Sequence, residues 1–248
     1  MGTLTYTTRE PVETLEIGVW LSEAAGTYDR LEARIVEYLE RLCAFEHWSV
    51  SVSVRGIVRV STEDGALVTS SGEWPTMVVE GMVGRGPVEP AADVNLLVTD
   101  GQMRRTPTGY ALPHIASVGG ARYLATLEPV DELVGAHSPV SVEDAIVSLS
   151  TPTRTMQVLI HEVGHTLGLA HDHGVAFVHD GAVVATPMIS TYAFNPDYEV
   201  DRSRCGKRYP DPQIQPRKLT LAFSRCARRD LRRYRGGLSP HTSRRLMG

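Results

Sequence analysis

The sequence predicts an α/β fold of the α+β kind: a mixed sheet layered with helices, then a looser, loop-rich final third. Three observations carry this. Strand-like apolar runs and helix-period segments alternate over the first hundred residues, which argues for a partly parallel sheet. A long amphipathic pattern follows from Thr151. Beyond His171 the chain is broken by Gly174, Gly181, Pro187, Pro196, Pro210, Pro212 and Pro216, residues that favour turns over long regular elements.

The elements follow in order. Leu15 to Leu21 reads as a first strand, bounded by Pro11 and a turn near Gly26. Asp29 to Phe45 carries Leu31, Ile35, Leu39, Leu42 and Phe45 at helical spacing, one apolar stripe. Trp48 to Val60 alternates and is rich in Val and Ile, a second strand. Ser61 to Gly72 and Gly81 to Pro90 read as turn-rich connections, with a short strand at Met77 to Val79 between them. Val94 to Thr99 is a short apolar run suited to a buried strand. Gly119-Gly120 suits a turn or bulge ahead of a strand from Ala121 to Glu128. Thr151 then caps a helix with Pro152 in its first turn, and Met156, Leu159, Ile160, Val163 and Leu167 form its core face. A last helix is expected from Lys218 to Tyr234, with Leu219, Phe223, Cys226, Leu231 and Tyr234 on its apolar side.

Composition bounds the function classes. The 248 residues are 42% hydrophobic and 22% charged, values of an ordinary globular chain. No apolar run approaches the roughly 18 residues that would span a membrane. Met1 to Tyr6 shows no basic patch followed by an apolar core, hence no signal peptide. Tyr6 stands where a myristoylation signal wants Ser or Thr. The default compartment is therefore the cytoplasm; the alternatives are export by another route and a leader already removed. Three cysteines do not make a disulfide scaffold. Cys205 and Cys226 either bridge or stay as two buried thiols, and Cys43 lies in a helical pattern. The net charge of −4 hides an asymmetry: residues 1–199 hold 11 Lys/Arg and 26 Asp/Glu, residues 200–248 hold 14 and 3. The basic segment reads as a helix face docked on an acidic domain; a nucleic-acid or anionic-surface arm is the alternative. With no aromatic-rich strand or helix-turn-helix pattern, no nucleic acid is expected as partner.

The run from His161 to His171 carries the chemistry. His161 and His165, four apart on a helix, lie on one face and reach a single metal ion. Glu162 is rotated about 100° around that helix and is placed to hold a water on the metal without being a ligand. His171 is the informative extra. A continued helix would carry it about 15 Å beyond His161, whereas nitrogens sharing one zinc sit only a few Å apart. The helix must stop before His171, and Gly168 is where a left-handed residue can end it. Three protein ligands with an open position mark catalytic rather than structural zinc, and Glu162 takes the role of general base. The bland alternative is a helix bearing surface histidines in a chance pattern; Gly168 and His171 at the required offsets argue against it. His173 and His179 read as solvated loop histidines, with a supporting role as the alternative. His47, His114, His137 and His241 have no metal-ligand spacing.

This run resembles the extended zinc motif of the metzincin metalloendopeptidases, H-E-x-x-H-x-x-G-x-x-H followed by a Met-turn. Asp172 after the third histidine is closer to the adamalysin (reprolysin) branch, as is the stretch Phe223-Ser224-Arg225-Cys226. The resemblance implies a zincin-like fold: a twisted mixed sheet with helices and the active-site helix in a larger N-terminal subdomain (1–171), and a small irregular C-terminal subdomain (172–248) ending in a helix. It implies one catalytic Zn2+ on His161, His165 and His171, Glu162 activating its water, and Met188 as an apolar floor. Gly168 and Asp172 support the site. Residues after Met188, through Phe194, wall the pocket for the side chain following the cut. The Ala121–Glu128 strand becomes the antiparallel edge along which substrate lies. Some members use a tyrosine two residues after the methionine as ligand or transition-state donor; Tyr192 stands four after it, a departure from that pattern. Most members are exported, so the absent leader is a second departure. The expected activity is hydrolysis of peptide bonds in a peptide or protein substrate, with a monomer favoured and the calcium requirement left open. A dedicated intracellular processing peptidase and a catalytically silent binding protein are the alternatives.

Overall fold

Thr14–Ser22 (β1) is buried along nearly its whole length, which places it inside a sheet rather than at an edge. Its residues alternate between two apolar clusters: Leu15, Ile17, Val19 and Leu21 face the main core, and Trp20 faces the second. The computed structural model describes residues 12–103, 108–134, 140–197, 203–211 and 214–238. His137, His241, Pro212 and the N-terminal stretch Met1–Tyr6 lie outside these residues, as does the end of the basic segment.

The chain continues through α1 (Leu31–Cys43), β2 (Ser49–Val58), α2 (Gly65–Ser70), α3 (Glu73–Met82), β3 (Val94–Val98), β4 (Gly109–Leu112) and β5 (Ile115–Val118). It then forms α4 (Ala121–Leu124), α5 (Val130–Val134), β6 (Ile146–Ser148) and α6 (Thr151–Thr166). Last come β7 (Ala176–His179), β8 (Ala182–Ala185), β9 (Arg217–Thr220) and α7 (Arg225–Leu231). Among the described residues these make seven α-helices and two mixed sheets, an α+β arrangement. The first sheet runs β2-β1-β3-β5-β4, parallel except for β4, which pairs antiparallel with β5 and forms one edge. The second runs β6-β9-β8-β7, with only β8 and β9 parallel.

Burial follows the pleat. Leu31, Ile35, Leu39 and Leu42 of α1 join Met156, Leu159, Ile160 and Val163 of α6 in the main core. Trp74 and Val78 of α3, one turn apart, pack with Trp20 and Leu97 on the opposite face. The two tryptophan rings lie 5.3 Å apart, a spacing typical of attractive aromatic pairs. No described helix is long and apolar enough to cross a membrane.

The first two strands, the first helix and the Val94 strand stand where the sequence places them, but five expectations are corrected. Ser61 to Gly72 is not simply a connection: the Asp64 carboxylate accepts from the backbone of Ala66 and Leu67 and starts α2. Met77 to Val79 lies in α3 rather than a strand, because Trp74 and Val78 reward helical spacing. Ala121 to Glu128 is no strand. Gly120 is left-handed at φ +85°, and the Asp100 carboxylate accepts from both the backbone N–H and Nε of Arg122 at 3.0 Å, starting α4. The antiparallel edge is instead β4, whose last residue, Leu112, lies seven residues before Gly119. The cap of α6 is Ser150 rather than Thr151. Finally, Lys218 to Thr220 lies in β9, paired with β8 on one side and β6 on the other, and the last helix starts only after Ser224, whose hydroxyl accepts from Ala227 N–H at 3.1 Å. The segment after His171 is also less irregular than expected, since it supplies three of the four strands in the second sheet.

Cys205 and Cys226 form a disulfide with Cα atoms 6.0 Å apart, which settles the alternative in favour of the bridge. Cys43 is a buried free thiol.

Candidate metal centre

Both ends of α6 are locally encoded. Ser150 and Thr153 form a reciprocal capping box, with Pro152 in the first turn. At the other end Gly168 is left-handed at φ +89°. Its N–H donates to His165 O and that of Leu169 to Gly164 O, both at 3.0 Å. This crossed pair is the Schellman arrangement that ends a helix and reverses the chain. The reversal brings His171, at the start of a single 3-10 turn, back beside the helix.

The three imidazoles converge. Their candidate ligand atoms all lie within 4.8 Å of one another, and the ring centroids are 4.5, 5.1 and 5.0 Å apart. His161 Nε2 and His165 Nε2 are separated by 3.0 Å, close to the roughly 3.3 Å expected for two nitrogens about 2.05 Å from a tetrahedral ion. The opposite ring nitrogens explain why these two converge. His161 Nδ1 donates to Pro187 O and His165 Nδ1 to Leu169 O, each at 2.7 Å, which leaves both Nε2 lone pairs facing the shared point. Burial, reinforced by neighbouring His165, pushes the His161 imidazole down to about 3. Burial also lowers His165 and His171. All three are thus held neutral, the form that ligates a metal. The donor set fits a metal ion, with three imidazole nitrogens and room for a further ligand; nitrogen donors of this kind suit zinc, copper, iron or nickel.

Glu162 shares the cleft and is only 6% exposed. Burial pushes its carboxyl up to about 8. Its space is created by Gly109 of β4: a Cβ there would stand 2.8 Å from both Cγ and Oε1 of Glu162. The strand is tied to the helix as well, since His114 N–H in the β4–β5 turn donates to Thr166 O at 3.2 Å.

Met188 is fully buried, and a Cβ on Gly164 would meet its sulfur at 2.4 Å. The sulfur therefore lies against the helix backbone at Gly164, the residue before His165. Gln157 secures this turn to α6. Its amide donates to Ala185 O and Thr220 O at 2.9 Å each, and its carbonyl accepts from Ser190 Oγ at 2.9 Å. Tyr192 reaches the cleft with its ring centroid 5.1 Å from that of His171.

Asp172 does not join the imidazoles; its carboxylate accepts from Arg204 Nε at 3.2 Å. His173 corrects its sequence reading, because it is 2% exposed rather than solvated. Its Nδ1 accepts from Ala170 N–H at 2.9 Å and its Nε2 donates to Asp230 Oδ2 at 3.0 Å. This anchors the loop bearing the third histidine to α7. His179 lies at the end of β7, partly exposed, outside the cleft lining.

Gly109 and Gln157 were not visible as site residues from sequence. A lone glycine and a lone glutamine carry no spacing signal, although a glutamine four residues before His161 falls near the same helix face. The cleft has a volume of about 500 Å3 and is lined by β4, α6, His171 and Ser190 to Tyr192. No protein-family model and no curated protein sequence matches the chain.

Proposed function

We propose that this protein is a zinc-dependent metalloendopeptidase of the metzincin type. The observation that carries the reading is one cleft holding three convergent, neutral imidazoles, a buried carboxylate beside them, and a free sheet edge alongside. His161, His165 and His171 would hold zinc through ring nitrogens. When bound, zinc supplies Lewis acidity that polarises a peptide carbonyl and makes a nearby water more acidic.

The chain's own groups do the rest. β4 is a sheet edge on the cleft side, so its free backbone groups can pair with an extended peptide. Glu162 takes a proton from the water as its oxygen bonds to the carbonyl carbon. It then delivers that proton to the amide nitrogen as the C–N bond breaks, leaving a carboxylic acid and an amine. A carboxyl held above its usual range by burial suits this exchange, since its affinity for the proton lies near that of the groups it serves. Met188 and Gln157 hold the floor still. Tyr192, beside His171, is placed on the cleft wall and is assigned a weak role as donor to the reacting carbonyl oxygen.

The test is incubation of zinc-loaded protein with a mixed peptide library, read by mass spectrometry. Cleavage of many members, abolished by a chelator and restored by zinc, is the expected result. A library left intact at full zinc occupancy overturns the reading.

A further inference from the structure

The cleft wall contains one arginine for which the peptidase reaction itself has no use. Arg154 lines the same cleft as His161 and Glu162. It lies seven residues before His161 on α6, hence two turns away, about 10 Å along the axis and within about 20° of the same face. Val158 lies between them on that face and also lines the cleft.

Among the described residues nothing balances its charge. The Nε atom of Arg154 is buried without a hydrogen-bond partner, and the side chain forms no ion pair among the described residues. Other arginines in the fold behave differently: Arg34 pairs with Glu37, Arg122 with Asp100 and Arg232 with Glu46. The only carboxylate among the described cleft-lining residues is Glu162, which lies against Gly109. A buried N–H donor without a partner costs free energy. A planar guanidinium with donors to spare is matched best by a carboxylate, which can accept two of its N–H groups at once.

We infer that Arg154 is a specificity residue that receives a substrate carboxylate on one flank of the scissile bond. This rests on the peptidase reading above and on the resemblance, which implies that residues after Met188, through Phe194, wall the pocket for the side chain after the cut; Ser190 of that segment is bonded to Gln157, three residues from Arg154 on α6. The carboxylate has two sources: an Asp or Glu side chain, or the terminal carboxylate of a substrate that ends shortly after the cut. A neutral side chain there would leave the guanidinium unpaired, and a basic one would be repelled.

Two measurements on one peptide library test the inference. Zinc-loaded wild-type protein is used for cleavage, with cut sites read by mass spectrometry. Zinc-loaded Glu162→Gln protein is used for affinity capture, with bound peptides sequenced. Each is run with free and with amidated peptide C-termini. Both should enrich, about tenfold or more, peptides that place a carboxylate at one position on that flank, either an acidic residue or a free C-terminus, a factor suited to a single charge-assisted contact. Arg154→Leu should erase the enrichment, and Arg154→Glu should replace it with Lys or Arg. Enrichment that survives amidation identifies a side chain; enrichment that vanishes with it identifies the terminal carboxylate. Acid-enriched capture without any cleavage upholds the Arg154 assignment and removes the peptidase reading. Cleavage without a preference for either carboxylate, or a preference unchanged in Arg154→Leu, overturns the assignment. Neither capture nor cleavage overturns both.

Discussion

Gly109 and Glu162 approach so closely that a methyl group on the glycine would stand 2.8 Å from the glutamate's Cγ and Oε1. The glycine is on the edge strand and the glutamate on the histidine-bearing helix. A sheet residue with no side chain thus sets the position of the one carboxylate in the cleft. Gly109→Ala must push the carboxylate or the strand aside. A shift of about 1 Å in a reacting group can cost around a hundredfold in rate. Turnover should fall by that order while zinc affinity stays within twofold, checked by steady-state kinetics beside a metal-competition titration.

Gly168 tests the turn that returns His171. Its φ of +89° is unfavourable for any residue with a Cβ, and the space around it is open, so the cost of alanine is conformational. That cost is about 1–2 kcal/mol. Gly168→Ala should lower Tm by a few degrees and weaken zinc binding, as His171 shifts from the other two imidazoles. Unchanged melting and unchanged zinc affinity would show that the turn does not depend on glycine.

These two positions show how far the sequence could be read. The geometry of His161, His165 and His171 was legible because metal ligation demands fixed offsets, and the Schellman turn at Gly168 answers that demand. Gly109 was not legible, since its importance arises from a strand brought beside α6 from more than forty residues away. The alternation in Ala121 to Glu128 misled for a related reason. Whether it forms strand or helix is decided by Gly120 and by Asp100 holding Arg122, one a backbone sign and the other a long-range contact. Lys218 to Thr220 was read as helix because its apolar spacing joins smoothly to α7, but β8 offers it an edge with which to pair. His173 looked like loop and proved buried because its partner, Asp230, is 57 residues away.

The Asp100 site predicts an acid dependence of stability. Burial alone would raise its carboxyl, but hydrogen bonds from Arg122 and Tyr28 outweigh this and hold it below the usual carboxylate range. A carboxyl lowered in the folded state adds stability above its unfolded value near 4. That stability is lost as pH falls through the lower folded value. Asp100→Asn should therefore destabilise the protein at pH 7 and flatten the loss of stability below about pH 4. Equilibrium urea unfolding across that range checks it; parallel curves for the two proteins would contradict it.

The thiols give a separate check. The Cys205–Cys226 bridge closes a loop with a sequence separation of 21, for which loop-closure entropy predicts about 3 kcal/mol. Reduction should lower Tm accordingly. Cys43 is buried, and burial pushes its thiol up to about 12, so it is protonated and unreactive at neutral pH. A thiol reagent should label no cysteine in the folded protein and one after unfolding without reductant. Rapid labelling of the folded protein would contradict the burial of Cys43.

The central claim is that Glu162 moves the proton in peptide hydrolysis at a three-histidine zinc site. The most direct measurement is kcat/KM for one library-derived peptide, compared between wild type and Glu162→Ala, each first shown to carry one zinc. The account predicts equal zinc content and a loss of about a thousandfold or more in the variant. Equal rates in the two proteins would contradict it.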